Sequence, residues 1–142
     1  MATSKEIKSK ILSILISDSR KSYRTIANEL GISTTTVSRI VKDLEDEGVI
    51  LGYTTMVDWN KLGFDSTLCI QVNIAPEADT IEVGNKIKNI NAIKQVFYTT
   101  GDTTFSAYAV CKNSQDAATV LEELRRVKGV EQVVGHTILK IF

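Results

Sequence analysis

The apolar positions of the first fifty residues repeat with a helical period. Ile7, Ile11, Ile14 and Leu15 fall at i, i+4, i+7 and i+8, with Leu12 and Ile16 widening the stripe, which predicts a first helix. Tyr23, Ile26, Ala27 and Leu30 repeat at i, i+3, i+4 and i+7. Ser22 before them suits an N-cap and Gly31 after them a left-handed stop. Val37, Ile40, Val41 and Leu44 give the helical spacing a third time, between Ser33 as cap and Gly48 as terminator. Only Gly31, Ile32 and Ser33 separate the second and third segments. So short a connection forces a sharp change of direction, the spacing of a helix-turn-helix. Gly48 to Tyr53 and the TTMVD that follows read as a short β-hairpin, or wing, and Trp59 to Phe64 as a connector.

Beyond Asp65 the period changes. Leu68, Ile70, Val72 and Ile74 alternate as one face of a strand, and Val83, Ile87 and Ile90 mark a helix. Ile93 to Thr99 and Phe105 to Cys111 read as two strands around the turn TGDT. A helix capped by Ser114 carries Ala117, Val120, Leu121, Leu124 and Val127, and Val130 to Phe142 closes as a strand. The order βαββαβ most economically makes an antiparallel four-stranded sheet with both helices on one face, the ferredoxin-like arrangement. The expected class is α+β: a winged helix-turn-helix domain over residues 1–52, a hairpin or linker over 53–64, and a ferredoxin-like domain over 65–142. The sheet face away from the helices is expected to carry Cys69, Gln71, Tyr98, Tyr108 and Val110, a mixture that suits a partner subunit better than bulk water.

Composition narrows the classes. At 142 residues and 43% apolar content the chain can fill the core of one ordinary domain or two small ones. No run of about 18 uncharged apolar residues occurs. MATSKEIKSK leads into a charged amphipathic segment rather than a signal-peptide core, so the expected location is the cytoplasm, with no membrane partner. Cys69 and Cys111 lie far apart, without a CxxC or a histidine cluster. Two buried reduced thiols are expected, with neither metal nor disulfide. The net charge of zero argues against a protein that coats nucleic acid indiscriminately, but the charges are uneven. Up to Lys42 there are eight basic residues against Glu6, Asp18 and Glu29, after which Asp43, Glu45, Asp46 and Glu47 reverse the sign. A positive field can therefore stand at one end of a neutral molecule.

The run STTT that opens the third helix is a poor helix start, because β-branched side chains lose rotamer freedom there. In a helix-turn-helix the N-terminal residues of the second helix come closest to base edges in the major groove, where short hydroxyl side chains fit. Thr34, Thr35 and Thr36 are candidates there, with Ser38, Arg39 and Lys42 one turn on and off the core stripe. Arg39 suits bidentate guanine contact and Lys42 a phosphate. Ser22 and Arg24 of the preceding helix complete the candidate DNA-binding set. A polar helix face is commonly just solvated, and it is the tight turn, the preceding helices and the asymmetric charge together that point to DNA. In the second part, Thr100, Gly101, Asp102, Thr103 and Thr104 offer backbone N–H groups, hydroxyls and one carboxylate. Asp102 could pair with an α-ammonium group while amides near Gly101 and the hydroxyls of Thr103 and Thr104 take an α-carboxylate. The same residues also make an ordinary hairpin turn, and composition leaves the two open. An enzyme of this two-part architecture, as in some haem-biosynthesis decarboxylases, would want histidines and arginines around a cavity. Here there is one histidine, the arginines of the second part are the adjacent Arg125 and Arg126, and no nucleophile–base constellation assembles, so no catalytic residues are expected.

The run KILSILISDSRKSYRTIANELGISTTTVSRIVKDLEDEGVILGY resembles the DNA-binding domain of the Lrp/AsnC, or feast/famine, family of transcription regulators. VFYTTGDTTFSAYAV and KGVEQVVGHTILKIF resemble two segments of that family's ligand-sensing domain, so the resemblance extends over essentially the whole chain. It departs where Lys5-Glu6-Ile7-Lys8 replaces an acidic pair at the start of the first helix, and where Thr104 replaces the family's second acidic residue after the Gly-Asp turn. The resemblance implies a sequence-specific regulator that uses no cofactor. Its C-terminal domains would pair into homodimers stacked into tetramers or octamers, with an amino acid bound between dimers. It adds His136, Thr137 and Ile138 of the last strand to the turn residues as effector candidates. A dimer would set two recognition helices about 34 Å apart, one turn of DNA. The rival is an architectural chromatin protein without effector response, against which the neutral total charge counts.

Overall fold

A computed structural model describes residues 2–142, and the chain divides after Met56 into two units, each with its own core. The first holds α1 (Ser4–Ser17), α2 (Tyr23–Leu30) and α3 (Thr34–Asp46). α1 begins three residues ahead of its apolar stripe because Thr3 and Glu6 form a capping box. The Thr3 N–H donates to the Glu6 carboxylate at 2.8 Å, and the Glu6 N–H to Thr3 Oγ1 at 3.3 Å. α2 stops at Gly31, whose φ of 65° lies in the left-handed region that a Cβ disfavours, and the Ile32 N–H turns back to the Ala27 carbonyl at 3.0 Å. Ile11, Leu15, Ile26, Ala27, Val37, Ile40, Val41 and Leu44 make the core. Ile16, placed on the stripe by its spacing, is instead 83% exposed. Five residues beyond Ile11 it lies roughly 140° around the helix.

The hairpin expected after Gly48 is not formed. Residues 51–58 carry no strand, Leu51 and Met56 are exposed, and of the residues after Gly48 only Ile50 packs on the helical core. A two-stranded ribbon without an apolar face to lay on something is marginal.

The second unit opens with a 3-10 turn, Trp59–Leu62, whose Trp59 ring meets Phe64 edge-on at 5.6 Å. The strands and helices follow in the expected order: β1 (Ser66–Ile74), α4 (Thr80–Lys88), β2 (Ile93–Tyr98), β3 (Phe105–Cys111), α5 (Ser114–Arg125) and β4 (Val130–Thr137). The sheet order is β2-β3-β1-β4, every pair antiparallel, which is the ferredoxin-like arrangement. Leu68, Ile70 and Val72 of β1 share one core with Val83 and Ile87 of α4 and with Ala117, Val120 and Leu124 of α5, so both helices cover the same sheet face. β4 stops at Thr137 and does not run on to Phe142, although the Ile138 N–H still donates to the Thr67 carbonyl at 2.9 Å.

On the opposite face Cys69 pairs with Tyr108 of β3 and with His136 of β4, forming a row across three strands. Two residues expected there behave otherwise. A bulge between Ile93 and Gln95 inverts the alternation of β2, so Tyr98 pairs with the core residue Phe105 and lies on the helix side. Val110 does lie on the face away from the helices, opposite Thr67, but is already buried within the single chain, at 4% exposure. The expectation of two buried thiols fails for Cys69, which the alternation of β1 turns outward and leaves exposed. Cys111 is buried, and burial, helped by the Asp116 carboxylate, pushes its thiol pKa up.

Candidate nucleic-acid interface and effector site

α3 buries Val37, Ile40, Val41 and Leu44 and leaves Thr34, Thr35, Ser38, Arg39 and Lys42 exposed around its other side. The threonines divide by task. Thr36 is half-buried, its N–H donates to Ser33 Oγ at 3.1 Å, and its Oγ1 lies 2.7 Å from the same oxygen, so its hydroxyl closes the N-cap. Thr34 and Thr35 remain outward. Ser22 is likewise engaged as the cap of α2: it accepts the Thr25 N–H at 3.1 Å and lies 2.8 Å from Thr25 Oγ1. A phosphate contact at Ser22 would share that hydroxyl with the cap. Arg24 is exposed in the first turn of α2 and, among the described residues, joins no ion pair.

The positive field expected of this unit is thinner than the residue count suggests. Lys8 meets Glu47 at 3.1 Å, Lys21 meets Glu29 at 2.9 Å, Arg39 meets Asp43 at 3.6 Å and Lys42 meets Asp46 at 2.7 Å. The hydrogen bond to Asp46, and then its charge, hold the Lys42 ammonium above its ordinary pKa, so the side chain is cationic at neutral pH. Tyr53, in the segment expected as a wing, donates its hydroxyl to Glu45 of α3 at 2.9 Å. Desolvation first, and then this bond, push the phenol up to about 12. Nothing in the spacing of the sequence signals that contact, which joins residues eight apart across a chain reversal.

The turn from Thr99 to Thr104 is built tightly. The Thr99 hydroxyl donates to the Thr103 carbonyl at 2.8 Å, and the Thr99 N–H to the Thr104 carbonyl at 2.9 Å. The Thr104 N–H goes to Asn73 Oδ1 at 2.9 Å and to the Val72 carbonyl at 3.1 Å. That amide is therefore spent within the chain. Gly101 has a φ of 105°, and among the described residues nothing takes the amide N–H groups of Gly101, Asp102 or Thr103. Thr100, Gly101 and Asp102 are exposed, Thr103 and Thr104 half-buried. Asn73, which pins this turn to β1, escaped the sequence reading because a single asparagine at a strand end has no distinctive pattern.

The other effector candidates lie elsewhere. His136 pairs with Cys69, four residues along β1 from Asn73, a separation of about 13 Å at roughly 3.3 Å per residue. His136 shares the outward face with Cys69, whereas Thr137 shares the helix side with Leu68, and Ile138 follows the strand. One chain thus gathers Thr100 to Thr104 and leaves His136, Thr137 and Ile138 apart from them. Among the described residues no three His, Cys, Asp or Glu side chains cluster as metal ligands, and no helix is long and apolar enough to cross a membrane.

Residues 5–50 match the family model of a winged helix-turn-helix DNA-binding domain, and residues 67–142 that of the Lrp/AsnC ligand binding domain. The two matches fall one on each structural unit. The chain is 33% identical over 131 residues to the HTH-type transcriptional regulator LrpA of Pyrococcus horikoshii, covering 92% of each protein. Two solved structures share its fold. A feast or famine regulatory protein of M. tuberculosis complexed with L-methionine superposes with a TM-score of 0.87 at 18% identity, over 99% of this chain and 95% of that one. A transcriptional regulator of Neisseria meningitidis in complex with L-Met gives 0.79 at 22% identity, over 99% of this chain and 91% of that one. With a family model on each unit and a named regulator matched along nearly its full length, the chain belongs to the Lrp/AsnC family of transcription regulators, DNA-binding proteins with a ligand-binding domain rather than enzymes.

Proposed function

We propose that the protein binds operator DNA sequence-specifically through the exposed face of α3, and that an amino acid held by the C-terminal domains modulates that binding. The observation that carries the first part is the polar stripe Thr34, Thr35, Ser38, Arg39 and Lys42 on a helix whose other side is fully used as core. Thr34 and Thr35 offer methyl and hydroxyl groups to base edges, Arg39 suits guanine, and Lys42 and Arg24 suit phosphates. Arg39→Ala should lower discrimination between operator and random DNA by about 1–3 kcal/mol. Lys42→Ala should weaken binding to operator DNA and flatten its salt dependence by about one unit. Titration of labelled duplexes at several salt concentrations reads both. Equal wild-type affinity for operator and random DNA would favour the architectural alternative.

Support for an amino-acid effector comes from the match to a ligand-binding domain and from the L-methionine carried by the two structural relatives. The Asp102 carboxylate and the open amides of Gly101, Asp102 and Thr103 complement an α-ammonium and an α-carboxylate. Since His136, Thr137 and Ile138 lie apart from the turn in one chain, they join an effector site only from a neighbouring copy. That requires at least a homodimer and accords with assembly to a tetramer or octamer. A dimer sets two α3 helices about 34 Å apart, so the operator should be pseudo-palindromic. An effector acts by preferring one quaternary arrangement, with coupling of about 1–3 kcal/mol. A thermal-shift screen of the twenty amino acids tests this. The right one at a hundred times its Kd should add about 2.7 kcal/mol, and Asp102→Ala should abolish the shift while basal DNA binding stays. No shift from any amino acid would defeat the effector reading.

A further inference from the structure

We infer that Asp43 and Asp46 are specificity-determining residues of α3, holding Arg39 and Lys42 in internal ion pairs that base-edge contact tolerates and phosphate contact does not. The inference rests on the reading of α3 as the base-contacting helix. Each carboxylate sits four residues past its cation, at 3.6 Å for Arg39–Asp43 and 2.7 Å for Lys42–Asp46.

Helix stability does not account for these acids. The last turn of α3 holds Glu45 and Asp46 with Asp43 just before it and no basic residue, against the negative end of the helix dipole. The pairs also run cation first and acid second, the weaker of the two i,i+4 orientations. All four side chains are well exposed, so the pairs add little to folding.

Their consequence for DNA is larger. Arg39 presents five N–H donors, and Asp43 comes nearest at Nη1, 3.6 Å away and so without a hydrogen bond, which leaves donors of the fork for O6 and N7 of guanine. Those acceptors are neutral and can coexist with the carboxylate. A phosphate is an anion: to engage Arg39 or Lys42 it must displace Asp43 or Asp46 or lie beside it, with Glu45 and Glu47 close in sequence. Phosphate contact supplies nearly all non-specific affinity. Residues 1–56 hold eight Lys and Arg against seven Asp and Glu, so no large surplus of charge restores that affinity. On an operator, base contacts seat the helix and offset the displacement of Asp46 from Lys42. On random DNA nothing does.

The test uses full-length protein, an operator selected from a random library by the wild type, and a random duplex of equal length. Asp43→Asn should raise affinity for the random duplex more than for the operator, lowering discrimination roughly two- to fivefold, while Asp43→Glu retains it. Asp46→Asn should steepen the salt dependence on random DNA by about one unit, as Lys42 is freed. Melting temperatures should hold or rise, because a charge opposed to the helix dipole is removed. Equal shifts on both duplexes, or no shift on either, would overturn the inference. Arg39→Ala, run alongside, separates the two levels. If it lowers discrimination and Asp43→Asn does not, the inference alone fails; if it changes nothing, the reading of α3 fails and takes the inference with it.

Discussion

Ile26→Ala is expected to cost the N-terminal unit about 2–5 kcal/mol and to remove operator binding with it. Ile26 is fully buried on α2, in the cluster that also holds Val37, Ile40, Val41 and Leu44 of α3. A unit of this size has a total stability of about 3–8 kcal/mol at roughly 0.05–0.15 kcal/mol per residue, so the loss takes most of what is available. α3 is then without the packing that keeps its polar stripe outward. Because each unit has its own core, amide resonances of residues 3–50 should collapse at temperatures where those of the sheet persist. A melting shift equivalent to less than about 1 kcal/mol would mean that α2 and α3 do not share the core described.

Gly129→Val should damage the other unit by about 2–6 kcal/mol, combining backbone strain with overpacking. Gly129 has a φ of 95°, and a Cβ there would stand 2.9 Å from the Ala78 Cβ and 3.2 Å from Val83 Cγ2. Its carbonyl also accepts the Ala75 N–H at 2.8 Å, tying the end of β1 to the start of β4. The added side chain must push the segment before α4 away from that junction. Calorimetry should show a lowered transition for the sheet unit, with the helical resonances of residues 3–50 in place and the effector-induced thermal shift gone. Gly135→Ala should be milder: its Cβ would meet Leu121 Cδ2 at 2.9 Å, but those are the free ends of a flexible side chain and the backbone there is ordinary strand. Equal damage from the two substitutions would contradict this account of Gly129.

Local features of the chain were legible before any coordinates. The three apolar stripes, Ser22 and Ser33 as caps and Gly31 as a left-handed stop are properties of consecutive residues, and apart from the exposed Ile16 and Tyr23 each forms where its spacing placed it. The order βαββαβ and the inward residues of β1 follow from period alone. The exposed stripe of α3 is the complement of its buried one, so Thr34, Thr35, Ser38, Arg39 and Lys42 could be named from the same pattern.

What escaped depends on partners distant in sequence or on small offsets between strands. The bulge between Ile93 and Gln95 turned Tyr98 to the helix side, since one extra residue reverses every later position of a strand with period two. The wing fell away because apolar residues after Gly48 found too little to pack against. Side-chain geometry assigned the Thr36 hydroxyl to the cap and half of the early cations to carboxylates, so a formal count of charges overstated the field. Strand register set His136 four residues from the level of Asn73 along β1. Outside the missing wing and the bulged β2, the sequence by itself determined which segments are helix or strand and which side of each is apolar, because periodicity and capping act over a few neighbouring residues. Only the tertiary structure decided which polar groups remain free to meet DNA or an effector, because that depends on what the fold brings opposite each of them.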